Sequence, residues 1–421
     1  MLTSLTVERW KSIGSATLNI DPITILIGTN SSGKSNILDA LSFLNRIANG
    51  AMITAALQGD TAFAPLRGGI EWAPQRPGDI FSIGVTLRAN DIQDLEYKIE
   101  CRINQKQGEV TSEQLHRIRY RLDKNGRRGS KPSRVALFWT DPVAPESPTI
   151  TARLYNSKRG TPRQLSRASS VLFQLFGQQA LADTKEGVDL ALAALRSIFI
   201  LDPIPSHMRG FSPLADRLLP DAGNIAGVLA ALPDETKRAV ESTLTKYVSK
   251  LPERDINKVF AETVGKFASD AMLYCEESYG PDGAHGLVDA RGISDGTLRF
   301  LAILTALLTR PENSLLVIEE VDNGLHPSRS QLLVNMLAEV GGERSVDVMV
   351  TTHNPALLDA LGPERVPFIT VAHRDPESGE TKLTLLEDIK LLPKLLAQGP
   401  VGRLSSQGLI EKALINQSSG F

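Results

Sequence analysis

Five strand-like residues, Ile23-Thr24-Ile25-Leu26-Ile27, run directly into Gly28-Thr29-Asn30-Ser31-Ser32-Gly33-Lys34-Ser35, and a helical pattern over 36–44 follows. Strand, G-x-x-x-x-G-K-[ST] and helix, in that order, make a phosphate-binding loop, and the order commits this part of the chain to an α/β fold. Glycines let successive backbone N–H groups turn toward one anion, and the following helix adds its positive end. The pattern assigns Lys34 to the β- and γ-phosphates of a nucleotide and the Ser35 hydroxyl to Mg²⁺. Asn30, Ser31, Ser32, Gly33 and Asn36 complete the expected nucleotide-binding stretch.

Such a loop leaves the reaction open, and the second half of the chain narrows it. Leu315-Leu316-Val317-Ile318 reads as a buried strand ending in Glu319-Glu320. Neighbouring strand residues point to opposite faces, so the two carboxylates have different tasks: Glu319 toward the Mg²⁺ shell, Glu320 toward an attacking water. A second buried strand ends in Thr351-Thr352-His353, which places His353 as a candidate contact for a γ-phosphate or the water. Ser294-Asp295-Gly296-Thr297 opens an amphipathic helix. Ser294 reads as its N-cap, and the exposed N–H groups there form a second anion site that a partner molecule would present.

The order of these motifs resembles the ATP-binding-cassette heads of the SMC and RecF type, and within them the OLD-like bacterial AAA-family ATPases found in phage-defence operons. In that resemblance 28–35 is Walker A, 294–297 the signature, 315–320 Walker B and His353 the switch histidine. Asp322 and Asn323, in Asp322-Asn323-Gly324-Leu325-His326-Pro327, fall at the D-loop, and Trp10-Lys11-Ser12-Ile13 resembles an N-terminal element whose basic residue and serine lie near the nucleotide. This implies nucleotide contacts from Lys11 and Ser12. Met208-Arg209-Gly210 and 220–225 resemble the helical middle of the group. The signature reads Ile-Ser-Asp-Gly-Thr, Walker B carries Glu319 where most cassettes have Asp, and Gln58 and Gln75 are the candidates for a Q-loop. Little chain follows His353 in which to place a Toprim nuclease domain.

The expected fold is α/β: a P-loop ATPase head of the cassette type, a mixed sheet around the loop plus an antiparallel β lobe, with a helical insertion. The blocks are 1–160, 161–284 and 285–421, with 166–266 read as helical spacing. The resemblance implies ATP and Mg²⁺ as ligands, a homodimer or higher homo-oligomer with two ATP molecules held between Walker A of one subunit and the signature of the other, and a separately encoded effector in anti-phage defence. Two alternatives stay open, a nucleotide-gated scaffold with little turnover and a RecF-like DNA-repair ATPase. Composition bears on partners and place. The formal charge of −2 gives no overall field for nucleic acid. Two local basic groups, Arg117, Arg119, Arg121, Lys124, Arg127, Arg128, Lys131 and Arg134, then Lys158, Arg159, Arg163 and Arg167, are candidates for nucleic-acid contact or for a partner protein. Two distant cysteines with no metal-ligand spacing fit a reducing cytoplasm, and no apolar window reaches membrane-spanning length.

Overall fold

The computed structural model describes residues 1–61, 64–252, 256–278 and 286–418. Contacts divide it into two compact units, each drawn from three separated stretches: Met1–Asp21, Gly28–Phe199 and Thr370–Thr384 in the first, and Pro22–Ile27, Ile200–Ile369 and Leu385–Phe421 in the second. The units are therefore not consecutive blocks of chain, and the expected boundary at 284/285 lies outside the described residues.

The first unit is built on an eight-stranded antiparallel sheet. Its order is Ile13–Asn19, Leu2–Trp10, Ile80–Asn90, Gln93–Asn104, Gln107–Arg119, Ser133–Thr140, Thr149–Leu154 and Thr161–Ser166. Alternation sets its faces: Leu95, Tyr97, Ile99 and Cys101 turn inward while Glu96, Lys98 and Glu100 turn outward. Helices Lys34–Ala48 and Ala182–Arg196 cover the apolar face. Trp10, Phe43 and Phe81 lock the first of these helices to the sheet, with ring centroids 4.9 Å apart for Trp10–Phe81 and 5.5 Å for Phe43–Phe81.

Inside this lobe the fully buried Glu113 carboxylate accepts four hydrogen bonds, from Tyr97 Oη (2.9 Å), Ser170 Oγ (2.8 Å) and the backbone N–H groups of Val171 and Leu172 (2.7 Å each). Burial outweighs these donors and pushes its pKa up to about 7. The folded chain then holds a proton there that the unfolded chain has released, so stability falls as pH rises from the ordinary carboxylate range toward 7. A shift of this size is worth about 3 kcal/mol. Thermal unfolding between pH 5 and 7.5 is expected to show that decline, and Glu113→Gln to flatten it. An equal slope in both proteins would remove Glu113 as its source.

The second unit has two sheets. In one, strands Leu315–Ile318, Asp347–Thr351 and Ile23–Ile27 run parallel with Asp347–Thr351 in the middle. All three are apolar almost throughout, as expected for strands buried on both faces, and helices Asp295–Thr309 and Ser330–Glu343 pack beside them. The other sheet is antiparallel. Asp270–Glu277 pairs with Ile256–Val264, Ser212–Pro213 and Gly286–Asp289, backed by helices Ile225–Ala231 and Asp234–Val248. The expected helical spacing thus holds over Ala182–Arg196, Ile225–Ala231 and Asp234–Val248 but gives way to a hairpin from Ile256 onward. In Ile256–Val264 the inward residues Val259 and Ala261 alternate with Lys258 and Glu262, a period of two that a preceding helix obscures.

Candidate functional site

In the first unit the loop is shaped from both sides. Gly33 has φ +105°, and a Cβ there would lie 2.3 Å from Thr381 Oγ1, so only glycine fits. The Thr381 hydroxyl donates to the Ser32 carbonyl (2.8 Å) and meets Ser12 Oγ at 2.7 Å, while Asn36 Nδ2 also reaches Ser12 Oγ at 2.7 Å. Arg374 Nε donates to the Ser31 carbonyl (3.0 Å). Ser12 is thus a strut beneath the loop. Lys34 Nζ folds back onto the carbonyls of Gly28 (2.6 Å) and Thr29 (3.1 Å), and buried Ser32 Oγ has no hydrogen-bond partner. A curled loop, an ammonium over it and an orphaned hydroxyl fit a polyphosphate. Lys11 is committed elsewhere. Its ammonium pairs with Asp39 of the following helix and donates to the Arg67 carbonyl, and burial lowers its pKa. Of the Q-loop candidates, Gln75 donates to Glu380 (2.9 Å), and Gln58 ends the short helix Ile53–Gln58.

In the second unit the parallel register aligns Leu26 with Thr351, and Val350 with Ile318. The three strands therefore end along one edge of their sheet, and from those ends the chain continues into residues 28, 319–320 and 352–353. Glu320 is exposed and left-handed, φ +46°, a conformation that costs a non-glycine residue about 1–2 kcal/mol. Thr351 holds it there. Its hydroxyl accepts the Glu320 N–H at 2.8 Å and its carbonyl the Val321 N–H at 3.1 Å. His353 is exposed at the neighbouring strand end, and Asn354 caps the helix Pro355–Ala360.

Ser294 caps helix Asp295–Thr309, its Oγ accepting the Thr297 N–H at 3.2 Å and meeting Thr297 Oγ1 at 2.9 Å. Asp295 pairs with Arg209 (2.5 Å). A Cβ on Gly296 would lie 2.8 Å from both Arg329 Nη1 and the Gly324 carbonyl, so the start of this helix is packed directly on the 322–329 loop. In that loop Asp322 is buried with one carboxylate oxygen unpartnered, and Asn323 is exposed. Among the described residues no three His, Cys, Asp or Glu form a metal-binding group.

The sequence matches, over residues 23–359, the family described as "AAA domain, putative AbiEii toxin, Type IV TA system". The chain belongs to this AAA family. The AAA-family chain is also similar in structure to an SMC head solved with the C-winged helix domain of ScpA, at 14% identity and a TM-score of 0.50, covering 91% of this chain and 96% of that one. An SMC head from Pyrococcus furiosus with an extended coiled coil, bound to the C-terminal domain of ScpA, aligns at 13% identity and a TM-score of 0.49, covering 94% and 99%. The first likeness gives the AAA-family chain the fold of an SMC head, the cassette-type P-loop architecture. Among curated proteins none matches the sequence.

Sequence reasoning about the AAA-family chain missed Thr381, Arg374 and Asp39, all of which shape the loop or its helix. Asp39 is five residues beyond Lys34, and a lone acid on an apolar helix face was the available signal. The basic groups need correction as well. Arg167 is 1% exposed and donates to the carbonyls of Val110, Pro145 and Ser147, so it cannot touch nucleic acid. Arg117, Arg128 and Arg134 are paired with Asp183, Asp94 and Glu96.

Proposed function

We propose that the chain is an ATP-hydrolysing head that works as a pair, each nucleotide being held by the 28–36 loop of one subunit and closed by Ser294–Thr297 of the other. The alignment of strand ends at 27, 318 and 351 carries this reading, because it leads the loop, Glu319-Glu320 and His353 away from one sheet edge. ATP with Mg²⁺ would supply the scissile phosphoanhydride and the countercharge. Lys34 and the loop N–H groups bind the phosphates, Ser35 and Glu319 the cation, and Asp322 and Asn323 line the subunit junction. Glu320 orients the water and takes its proton, and His353 steadies the γ-phosphate. Binding closes the pair, hydrolysis opens it, and the change of state is passed to a separately encoded effector in the cytoplasm. The toxin–antitoxin wording of the family description and the resemblance to phage-defence ATPases support a defence role. The ScpA-bound SMC heads offer a precedent for a protein partner.

A mixing experiment tests the paired site. Lys34→Ala and Ser294→Arg are each expected to abolish phosphate release alone. Mixed in equal amounts, they should recover about a quarter of wild-type turnover, since half the pairs are mixed and each carries one intact site of two. No recovery, with both variants folded and mixed pairs demonstrated, would overturn the in-trans arrangement.

A further inference from the structure

The basic segment singled out in the sequence divides, in the structure, into cations that are spent and cations that are not. Arg117, Arg128, Arg134 and Arg167 are spent on acids or carbonyls of the lobe. Arg119, Arg121, Lys124, Arg127 and Lys131 are exposed on the hairpin joining Gln107–Arg119 to Ser133–Thr140, and among the described residues none of the five has an ion pair. Arg119 has Asp183 near it, but that carboxylate is bonded to Arg117. The one acid of the hairpin, Asp123, uses Oδ1 to accept the N–H groups of Asn125 and Arg127, at 2.8 Å each.

The hairpin is also preformed. Leu122 bridges Arg128, the Gly129 N–H reaches the Arg121 carbonyl (2.8 Å), and Arg128 ties the tip to the carbonyls of Asn90 and Asp91. Strand order adds to the patch. Thr149–Leu154 runs antiparallel to Ser133–Thr140, pairing Leu154 with Phe138, so the turn that carries exposed Lys158 and Arg159 leaves the sheet toward the same end.

We propose that this end of the antiparallel sheet is a docking surface for the phosphate backbone of duplex nucleic acid. The inference goes beyond the ATPase reading and does not depend on it. Five unspent cations on one hairpin, with Lys158 and Arg159 on a turn at the same end of the sheet, gather positive charge locally on a chain of net charge −2. No aromatic ring of the hairpin is free for base stacking, since Tyr120 lies under the Arg128 guanidinium at 4.4 Å. Backbone contact without stacking selects a duplex over a single strand and reads no sequence.

The test uses the full chain and 20-base-pair DNA and RNA duplexes in fluorescence anisotropy at 50–200 mM salt. With about five phosphates neutralised, affinity should fall about 500-fold across that range, a slope near −4.5 in log–log form. Changing Arg121, Lys124 and Arg127 together to Gln should lower affinity at 50 mM at least tenfold and make the slope shallower by about 2.7. Lys250→Gln, on the second unit, should change neither. The DNA and RNA arms show which duplex is preferred, and either supports the surface. The proposal is overturned if neither duplex binds at 50 mM, if the triple variant binds with unchanged slope, or if polyglutamate binds as tightly as the duplexes, which would make this an acidic-protein surface.

Discussion

Glu320→Gln is expected to slow ATP turnover by about 10²–10⁴-fold while leaving ATP bound. The substitution keeps shape and removes only the ability to take a proton. The backbone of residue 320 is fixed independently of its side chain, through the N–H bonds of residues 320 and 321 to Thr351, so the left-handed turn survives the change. Lys34 and the loop are untouched, so nucleotide affinity should be retained. On the paired reading, ATP-loaded variant should accumulate as a stable dimer. Phosphate release, equilibrium nucleotide binding and sedimentation velocity together decide it. Wild-type turnover in Glu320→Gln would remove this carboxylate from the chemistry, and loss of binding would show that the variant disturbs the fold.

Arg167→Met should destabilise the chain by about 3–5 kcal/mol. The guanidinium is 1% exposed and reaches the carbonyls of Val110 (3.0 Å), Pro145 (2.9 Å) and Ser147 (2.7 Å), with Glu109 at 3.1 Å. Methionine fills similar space but leaves the buried Val110 carbonyl and the part-buried Pro145 and Ser147 contacts without their donor, and an unmade buried hydrogen bond costs more than a made one contributes. Arg167→Lys keeps the charge without the planar fork and should fall between the two. Chemical denaturation measures both. A loss below about 1 kcal/mol in the methionine variant would mean that water or a local shift satisfies the carbonyls. This outcome also separates structural from ligand-binding arginines, since the exposed cations of the hairpin should be nearly neutral to stability.

What could be read from the sequence was local. The loop, its strand and its helix are contiguous, so pattern alone placed them, as did the apolar strands ending at Ile318 and Thr351. Contacts that close over long separations were not legible. Thr381 bonds the Ser32 carbonyl across 349 residues, and nothing in the Gly379-Glu380-Thr381-Lys382 stretch announces that role. The N-terminal basic residue shows the same limit. Resemblance set Lys11 beside the nucleotide, yet its ammonium is bound to Asp39, a partner no spacing rule selects. Charge counting failed similarly at Arg117, Arg128 and Arg134, because the acids that neutralise them sit on the strand Gln93–Asn104 and the helix Ala182–Arg196 of the same lobe.

The late position of Thr381 has a consequence for synthesis. The ribosome completes Gly28 to Ser35 early, but the wall against Gly33 and Ser12 emerges more than three hundred residues afterwards. Until then the nascent chain carries the loop with Ser12 and Asn36 but without Thr381 and Arg374 against it. The loop therefore takes its folded shape only after the 349 residues that separate Ser32 from Thr381 have been made.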